Sequence, residues 1–195
     1  MQNRASMQDF VISLLKNNIP SEYTYHNYEH TLYVQQKVKD LAAQLHIAAH
    51  ETMLLDTAAL WHDTGYINVY QGHEEESCRL ATQQLPGYGF NAGDIEAICG
   101  MIMATKVPQK PMNLLQEIIA DADLAYLGTN EVAAIAENLF LEMQFLSPEL
   151  TRAEWNKKQV SFLENHQYFT SFYQRTREPL KQRYLDQLRT SITSV

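Results

Sequence analysis

Glycine and proline are scarce in this chain. Seven Gly and six Pro occur among its 195 residues, which is below the usage of ordinary globular proteins. Both residues mark the turns between strands, so their scarcity argues against a sheet with many hairpins and favours long helices. The strict alternation of apolar and polar residues that is typical of a half-buried strand is also missing. The sequence therefore predicts an all-α fold.

Cysteine is scarce as well, and long apolar runs and a net positive charge are missing. Two cysteines, Cys78 and Cys99, are too few for a disulfide framework. No apolar run reaches the length of a membrane span, and the N-terminal segment MQNRASMQDF lacks the apolar centre of a signal peptide. The formal net charge of −8 argues against sequence-independent binding to nucleic acid. We therefore expect a cytoplasmic protein with no nucleic-acid or membrane partner.

The length of the chain and its charge pattern indicate how its domains are organised. A chain of 195 residues is long enough to bury a proper core, and no Gly/Ser-rich or Pro-rich linker divides it. We expect a single helical domain over residues 1–195. Residues 151–195 carry eight Lys/Arg and only four acids. We interpret this basic tail as a solvated helix face, and attraction of an anionic substrate is the alternative.

Two ionisable residues fall on the inward side of a predicted helix at Leu54–Gly65. Its core-facing positions recur at helical spacing and end in a histidine: Leu54, Ala58, Trp61 and His62. Asp63 follows on the adjoining face. A buried carboxylate with no partner costs several kcal/mol, so something must offset its charge. A divalent cation is one such partner.

Two further ionisable residues share the apolar faces of other predicted helices. His30 lies in a helix from about Tyr28 to His46, and Asp123 lies in a helix from about Met112 to Leu127. Alone, each of the four residues has an ordinary explanation, such as a core histidine bonded to a carbonyl or an aspartate at a helix end. Together, two imidazoles and two carboxylates form a donor set suited to a catalytic divalent metal. Mn, Fe, Co, Ni, Zn and Mg are all candidates.

The order of these residues resembles the HD-domain superfamily of metal-dependent phosphohydrolases. The motifs that carry the resemblance are YHNYEHT, the His-Asp pair and DADLAYLG. They cover residues 23–128, whereas residues 129–195 match no motif and are expected to complete the bundle. The resemblance implies a helical bundle of the HD-domain/phosphodiesterase type with a divalent metal site of four ligands: His30, His62, Asp63 and Asp123. Asp121 would support a ligand or face solvent, and we expect it to face solvent.

The segment before the first ligand adds a candidate acid. The pattern YHNxxH resembles the metal-site segment of cyclic-nucleotide phosphodiesterases. This likeness implies that His26 is a general acid that protonates the departing oxygen. Asn27 either contacts the substrate or only caps the following helix.

Two other segments resemble parts of the family that lie near the substrate. His73 and Glu74 match a segment of small bacterial members and are candidates to orient or deprotonate the attacking water. For Glu74 the alternative is an acid that complements the dipole at a helix N-terminus. Thr105 and Lys106 match a stretch near the pocket, and Lys106 is a candidate phosphate contact. Pro108 stands where some relatives have a histidine, so this part of the pocket is expected to differ.

Two departures from the family pattern narrow the prediction. Relatives with two metals carry a further histidine shortly after the His-Asp pair, and this chain has Tyr66 in that region. We therefore expect one metal rather than two. The branch that acts on guanosine alarmones has Glu-Asp directly after the pair, whereas this chain has Thr64 and Gly65. That branch is not expected.

The resemblance implies hydrolysis of a phosphate ester or anhydride in a small phosphorylated substrate, with nucleotides among the candidates. Two alternatives stay open. A di-iron oxygenase can use the same scaffold, but it needs more ligands than the four above. A non-catalytic sensor can bind a nucleotide in the same pocket, but it has less need of a metal. A homo-oligomer also stays open, because Phe169, Phe172 and Tyr173 suit either a core or an interface.

Overall fold

The computed structural model describes residues 4–193 of the chain, with the side chains of residues 6–192. This described part contains ten α-helices, three short 3-10 helices and no strand, so the all-α prediction is confirmed. The α-helices are α1 (Arg4–Asn18), α2 (Tyr28–Gln44), α3 (Ala49–Trp61), α4 (His73–Gln84), α5 (Ala92–Met103), α6 (Leu114–Asp123), α7 (Val132–Leu146), α8 (Arg152–Asn165), α9 (Ser171–Thr176) and α10 (Glu178–Thr193). The 3-10 helices are Thr64–Ile67, Leu85–Tyr88 and Ala125–Gly128. Among the described helices, none is long and apolar enough to cross a bilayer.

The chain divides into two compact units. The first takes the chain up to Pro20 together with His26–Asp123, and the second takes Ser21–Tyr25 together with the chain from Leu124 onward. All the predicted ligands and candidate catalytic residues belong to the first unit. The expectation of one domain over residues 1–195 stays a prediction, and residues 1–3 and 194–195 lie outside the described part.

Helix α3 lies inside the first unit. It is apolar on nearly every side, which is the pattern of a helix surrounded by others, and it contacts α2, α5 and α6. Its last five residues are all fully buried: Thr57, Ala58, Ala59, Leu60 and Trp61. Burying a large apolar side chain contributes about 1.5–3 kcal/mol. The chain stays buried where α3 ends, so His62 and Asp63 lie in the interior rather than at the surface.

The sharp turn after α3 is held by α4. The hydroxyl of Thr64 donates to the carbonyl of Trp61 at 2.8 Å, which closes the end of α3. The N–H of Gly65 donates to the hydroxyl of Ser77 at 2.8 Å, and that hydroxyl donates in turn to the carbonyl of His62 at 2.6 Å. One serine on α4 therefore satisfies two buried backbone groups of the turn.

Two glycines let α4 begin beside this turn. A Cβ at Gly65 would lie 2.0 Å from the carbonyl oxygen of His73 and 2.9 Å from its Cα, so only glycine fits there. Gly72 precedes α4 with a φ of 76°, a left-handed conformation that glycine adopts without strain. As a result His73, the first residue of α4, is placed next to the His-Asp pair.

The second unit contains α7 to α10. Phe140 of α7 and Trp155 of α8 are buried in one apolar cluster. The ammonium of Lys181, on α10, is also buried and donates to the carbonyl of His166, directly after α8, at 2.5 Å. A cation at this position complements the dipole at the C-terminus of α8. Tyr173 is buried as well, so it is a core residue.

Residues 21–25 join this second unit through α7. The hydroxyl of Thr24 donates to the carbonyl of Asn138 at 2.6 Å. The N–H of Tyr25 donates to the carboxylate of Glu142, which is fully buried, at 2.9 Å. A short stretch between α1 and α2 is thus fastened to a helix that lies far along the chain.

Candidate metal centre

Three of the predicted ligands converge within the first unit. His30 comes from the first turn of α2, His62 directly follows α3, and Asp123 is the last residue of α6. One donor atom from each lies within 4.8 Å of the others. Oδ1 of Asp123 is 3.0 Å from Nε2 of His30 and 3.5 Å from Nε2 of His62. Three helix ends therefore deliver two imidazole nitrogens and a carboxylate oxygen to one point.

Asp63, the fourth predicted ligand, lies beside this cluster. Its Oδ2 is 3.2 Å from Nε2 of His62 and 3.5 Å from Nε2 of His30. Its other oxygen, Oδ1, is 3.6 Å from Nε2 of His73. The Asp63 carboxylate therefore faces the cluster with one oxygen and the start of α4 with the other.

The hydrogen bonds of His62 leave a nitrogen available for a metal. Nδ1 of His62 lies 2.8 Å from the carbonyl of Ala59, so this nitrogen carries the proton and donates it. In the neutral ring, Nε2 then holds a lone pair that points at two carboxylates. Nε2 of His62 and Oδ2 of Asp63 are both buried without a hydrogen bond to any described residue. A cation among these atoms satisfies the whole set, and its nitrogen and oxygen donors fit a divalent transition metal or zinc.

The electrostatics of the cluster favour a positive charge. Burial lowers the pKa of His62, but the carboxylates of Asp63 and Asp123 outweigh it and raise that pKa well above its ordinary value. Burial likewise opposes ionisation of Asp63, yet His62 and His30 hold its pKa well below the usual range. Burial also raises the pKa of Asp123, but His30, which lies within hydrogen-bond distance, and the nearby His62 outweigh it and lower the pKa to about 2. Both carboxylates are therefore ionised at neutral pH and attract a cation.

Two more candidate residues lie next to the ligands. Nδ1 of His73 donates to the carbonyl of Tyr70 at 3.2 Å. Its Nε2 lies 3.6 Å from Oε1 of Glu74, as well as near Asp63. Glu74 is buried, although acids at a helix N-terminus are commonly exposed. His73 thus lies beside Asp63, and Glu74 is buried beside His73 instead of being exposed on a surface helix.

Tyr66 joins two of the candidate histidines. Its ring stacks on the ring of His26 at 4.3 Å and on the ring of His73 at 3.9 Å. The ring of His26 is in turn 6.1 Å from the ring of His30. The sequence singled out Tyr66 only as the position of a missing ligand. Its contact with both histidines had no signal in the sequence beyond its place directly after HDTG.

A family model of the HD domain matches residues 27–125, a range of more than half the chain. The chain belongs to the HD-domain family. Comparisons with curated proteins and with solved structures found no match. The matched part of the HD domain contains all four predicted ligands as well as His73 and Glu74. His26 lies directly before it, so the likeness of YHNxxH to cyclic-nucleotide phosphodiesterases stays a prediction.

The three candidate substrate contacts of the HD domain have structural partners. The side chain of Asn27 caps α2 by accepting the N–H groups of Glu29 at 2.9 Å and of His30 at 3.4 Å. The hydroxyl of Thr105 donates to a carbonyl of its own helix end at 2.8 Å. Lys106 pairs with Glu75 at the surface. Among the described contacts, the helix cap accounts for Asn27, and the substrate roles of all three stay predictions.

Asp121 of the HD domain does not face solvent, so that expectation is wrong. Its relative exposure is 0 %. The residues before and after it are equally buried: Ile118, Ile119, Ala120 and Ala122. Five consecutive buried residues mean that this end of α6 is surrounded on every side. In such a helix a residue that lies off the apolar face can still be buried, so the position of Asp121 relative to that face did not predict its exposure.

Proposed function

We propose that this HD domain hydrolyses a phosphate ester or anhydride of a small phosphorylated substrate with one divalent metal ion. His30, His62 and Asp123 hold the ion in this proposal, and Asp63 is the fourth ligand. The observation that carries it is the pair of buried atoms that lack a hydrogen bond among the described residues, Nε2 of His62 and Oδ2 of Asp63. A divalent ion supplies a Lewis acid for a phosphoryl oxygen and lowers the pKa of water.

The protein supplies a base at the start of α4. His73 keeps its proton on Nδ1 by donating to the carbonyl of Tyr70, so its Nε2 is free to accept a proton from the attacking water. The carboxylates of Asp63 and Glu74 both lie 3.6 Å from this nitrogen. They stabilise the imidazolium that forms when Nε2 takes the proton. In this proposal His73 is the base, and Glu74 stabilises the positive charge that His73 acquires.

His26 serves as the acid in the proposed reaction. It lies partly exposed beside the ligand His30, where its ring can reach a departing oxygen. Stacking on Tyr66 restricts the orientation of the ring. The proposed acid and base are thus two histidines that stack on the same tyrosine, and their ring centroids are 6.3 Å apart.

Binding of the substrate is proposed to involve Lys106, Thr105 and Asn27. The ion pair of Lys106 with Glu75 is exposed, and exposed pairs contribute little to stability because solvent screens them. Lys106 can therefore leave Glu75 and pair with a substrate phosphate at little cost in free energy. The proposed partner is a small phosphorylated molecule, and a nucleotide is one member of this class.

The test begins with elemental analysis of the purified protein. We expect a divalent metal bound at about one equivalent per chain, and release of phosphate or a nucleotide product in a screen of phosphorylated compounds with that metal. Asp63→Ala should lose both metal and turnover, by more than the roughly 10- to 100-fold that loss of a residue supporting a metal ligand costs. Asp40→Ala is the matched control, because Asp40 is an exposed acid on α2.

Three outcomes would replace the proposal. Full metal content and turnover in Asp63→Ala would remove Asp63 from the centre. Two bound irons with oxygen uptake and no hydrolysis would identify an oxygenase. Tight binding of a nucleotide without turnover over the whole panel of metals would identify a sensor.

A further inference from the structure

The only two cysteines of the sequence meet across the contact between α4 and α5. Both are free thiols. The sulfur of Cys78, on α4, lies 3.5 Å from the carbonyl oxygen of Cys99, on α5, and the sulfur of Cys99 lies 3.7 Å from the carbonyl oxygen of Cys78. Because the contacts are reciprocal, each side chain reaches the other backbone and both sulfurs lie between the two helices.

The two thiols differ in their readiness to ionise. A hydrogen bond with Cys78 lowers the pKa of the Cys99 thiol, burial opposes this shift, and the hydroxyl of Thr82, 3.6 Å away, adds to it. The pKa of Cys78 is raised by the same hydrogen bond, by burial and by the nearby carboxylates of Glu75 and Glu74. Cys99 is therefore the better nucleophile, and Cys78 remains protonated beside it.

We propose that Cys78 and Cys99 are a reversible redox pair that closes a disulfide between α4 and α5 on exposure to a peroxide. The Cys99 thiolate attacks one oxygen of hydrogen peroxide and the O–O bond breaks. This step yields a sulfenic acid on Cys99 and a hydroxide, which takes the proton that Cys99 released and leaves as water. Cys78 then attacks the sulfur of Cys99, the S–O bond breaks, and the second hydroxide leaves as water with the proton of Cys78. Two thiols and one peroxide become one disulfide and two waters.

The position of the pair gives the crosslink a consequence for the fold. Cys78 directly follows Ser77, which holds the turn after α3, and both belong to the helix that begins at His73. Closing the bond ties this helix covalently to α5. Such a crosslink also restricts the unfolded chain between residues 78 and 99, which raises the stability of the oxidised form.

The test uses the full chain in its reduced form. Hydrogen peroxide is added in small molar excess, free thiols are counted with a thiol reagent, and a non-reduced digest is analysed by mass spectrometry. We expect both thiols to disappear together, one intrachain link between the peptides of Cys78 and Cys99, and recovery of both thiols with a reductant. The Tm should rise by roughly 5 to 10 °C on oxidation. Persistence of both thiols, independent sulfinic acids, bonds only between chains, or an unchanged Tm would overturn the proposal.

Two single variants separate the roles of the thiols. Cys78→Ser should accumulate a sulfenic acid on Cys99 that a dimedone probe labels. Cys99→Ser should leave Cys78 unlabelled at the same peroxide dose, and neither variant should show the rise in Tm. Equal labelling of both variants would contradict the assignment of Cys99 as the attacking thiol.

Discussion

At the scale of single residues, two histidines of the HD domain are oriented in the same way. Nδ1 of His62 donates to the carbonyl of Ala59, and Nδ1 of His73 donates to the carbonyl of Tyr70. In each case the acceptor lies three residues earlier in the chain. Both rings then present Nε2 to Asp63, at 3.2 Å and 3.6 Å. The backbone thus selects the tautomers, and the carboxylate of Asp63 lies between two Nε2 atoms, one that we propose binds the metal and one that we propose accepts a proton.

The first prediction concerns Gly65. In Gly65→Ala the new Cβ would meet the carbonyl oxygen of His73 at 2.0 Å. Backbone cannot give way as a flexible side chain can, so we expect a loss of roughly 2–4 kcal/mol in the free energy of unfolding. Urea denaturation measures this change.

Gly87→Ala is the matched control for that substitution. No atom lies within 4 Å of a Cβ built at Gly87, and its φ is not in the left-handed region. We expect its free energy of unfolding to change by less than about 0.5 kcal/mol. Similar losses in the two variants would show that the contact with His73 is not what requires glycine at position 65.

The sequence was sufficient to predict most of the residues that the structure places in the candidate metal site. His30, His62 and Asp123 were predictable because an ionisable group at an apolar position has an energetic cost that calls for a partner. Tyr66 was not predictable, since its stacking depends on the turn after α3 and on the start of α4. Asp121 was misplaced because a period of 3.6 residues cannot distinguish a helix with one buried face from one that is buried all round.

At the scale of elements, the centre lies where helices end. His62 directly follows α3, Asp123 ends α6, and each is followed within two residues by a 3-10 helix. The predicted helix that reached Leu127 ends instead at Asp123, because Leu124 leaves helical geometry with φ −100° and ψ 18°. Apolar periodicity continues through a single 3-10 turn, so a sequence pattern does not mark this boundary.

The second prediction concerns the attachment of α4. Ser77→Ala would leave the N–H of Gly65 and the carbonyl of His62 buried without the partner that Ser77 provides. Each lost hydrogen bond costs about 1–3 kcal/mol, so we expect the free energy of unfolding to fall by roughly 2–4 kcal/mol. The affinity for the metal should fall about 10- to 100-fold as His62 loses its support.

Calorimetric titration with the metal and urea denaturation measure these two effects. Ser161→Ala is the control, since Ser161 is exposed on α8, and it should leave both values unchanged. A variant of Ser77 that unfolds more easily yet binds metal as tightly as the wild type would limit this serine to a role in stability.

At the scale of the whole molecule, a bound metal would tie the consecutive helices α2 and α3 to α6, which lies far along the chain. The ligands come from α2, from the end of α3 and from α6. A cation that binds only the folded state at a hundred times its Kd adds about 2.7 kcal/mol of stability. For a chain of this length, that corresponds to a rise of roughly 5 to 10 °C in Tm.

The third prediction follows from this linkage. Metal-free wild-type protein should gain that rise in Tm when the metal found by elemental analysis is restored, and a thermal melt at several metal concentrations measures it. His30→Ala should show no concentration-dependent rise, because it lacks a ligand from α2. A rise of equal size in both proteins would place the stabilising ion elsewhere.

The fastening of residues 21–25 to α7 has a consequence for the order of events during synthesis. Tyr25 and Glu142 are 117 positions apart. Because a ribosome adds about 5–20 residues per second, Glu142 is added roughly 6 to 23 seconds after Tyr25, and the hydrogen bond cannot form before then. The candidate metal ligands, from His30 to Asp123, have all been made by the time α7 emerges. Under the proposed function, the site for the ion is therefore complete in sequence before residues 21–25 acquire their partner.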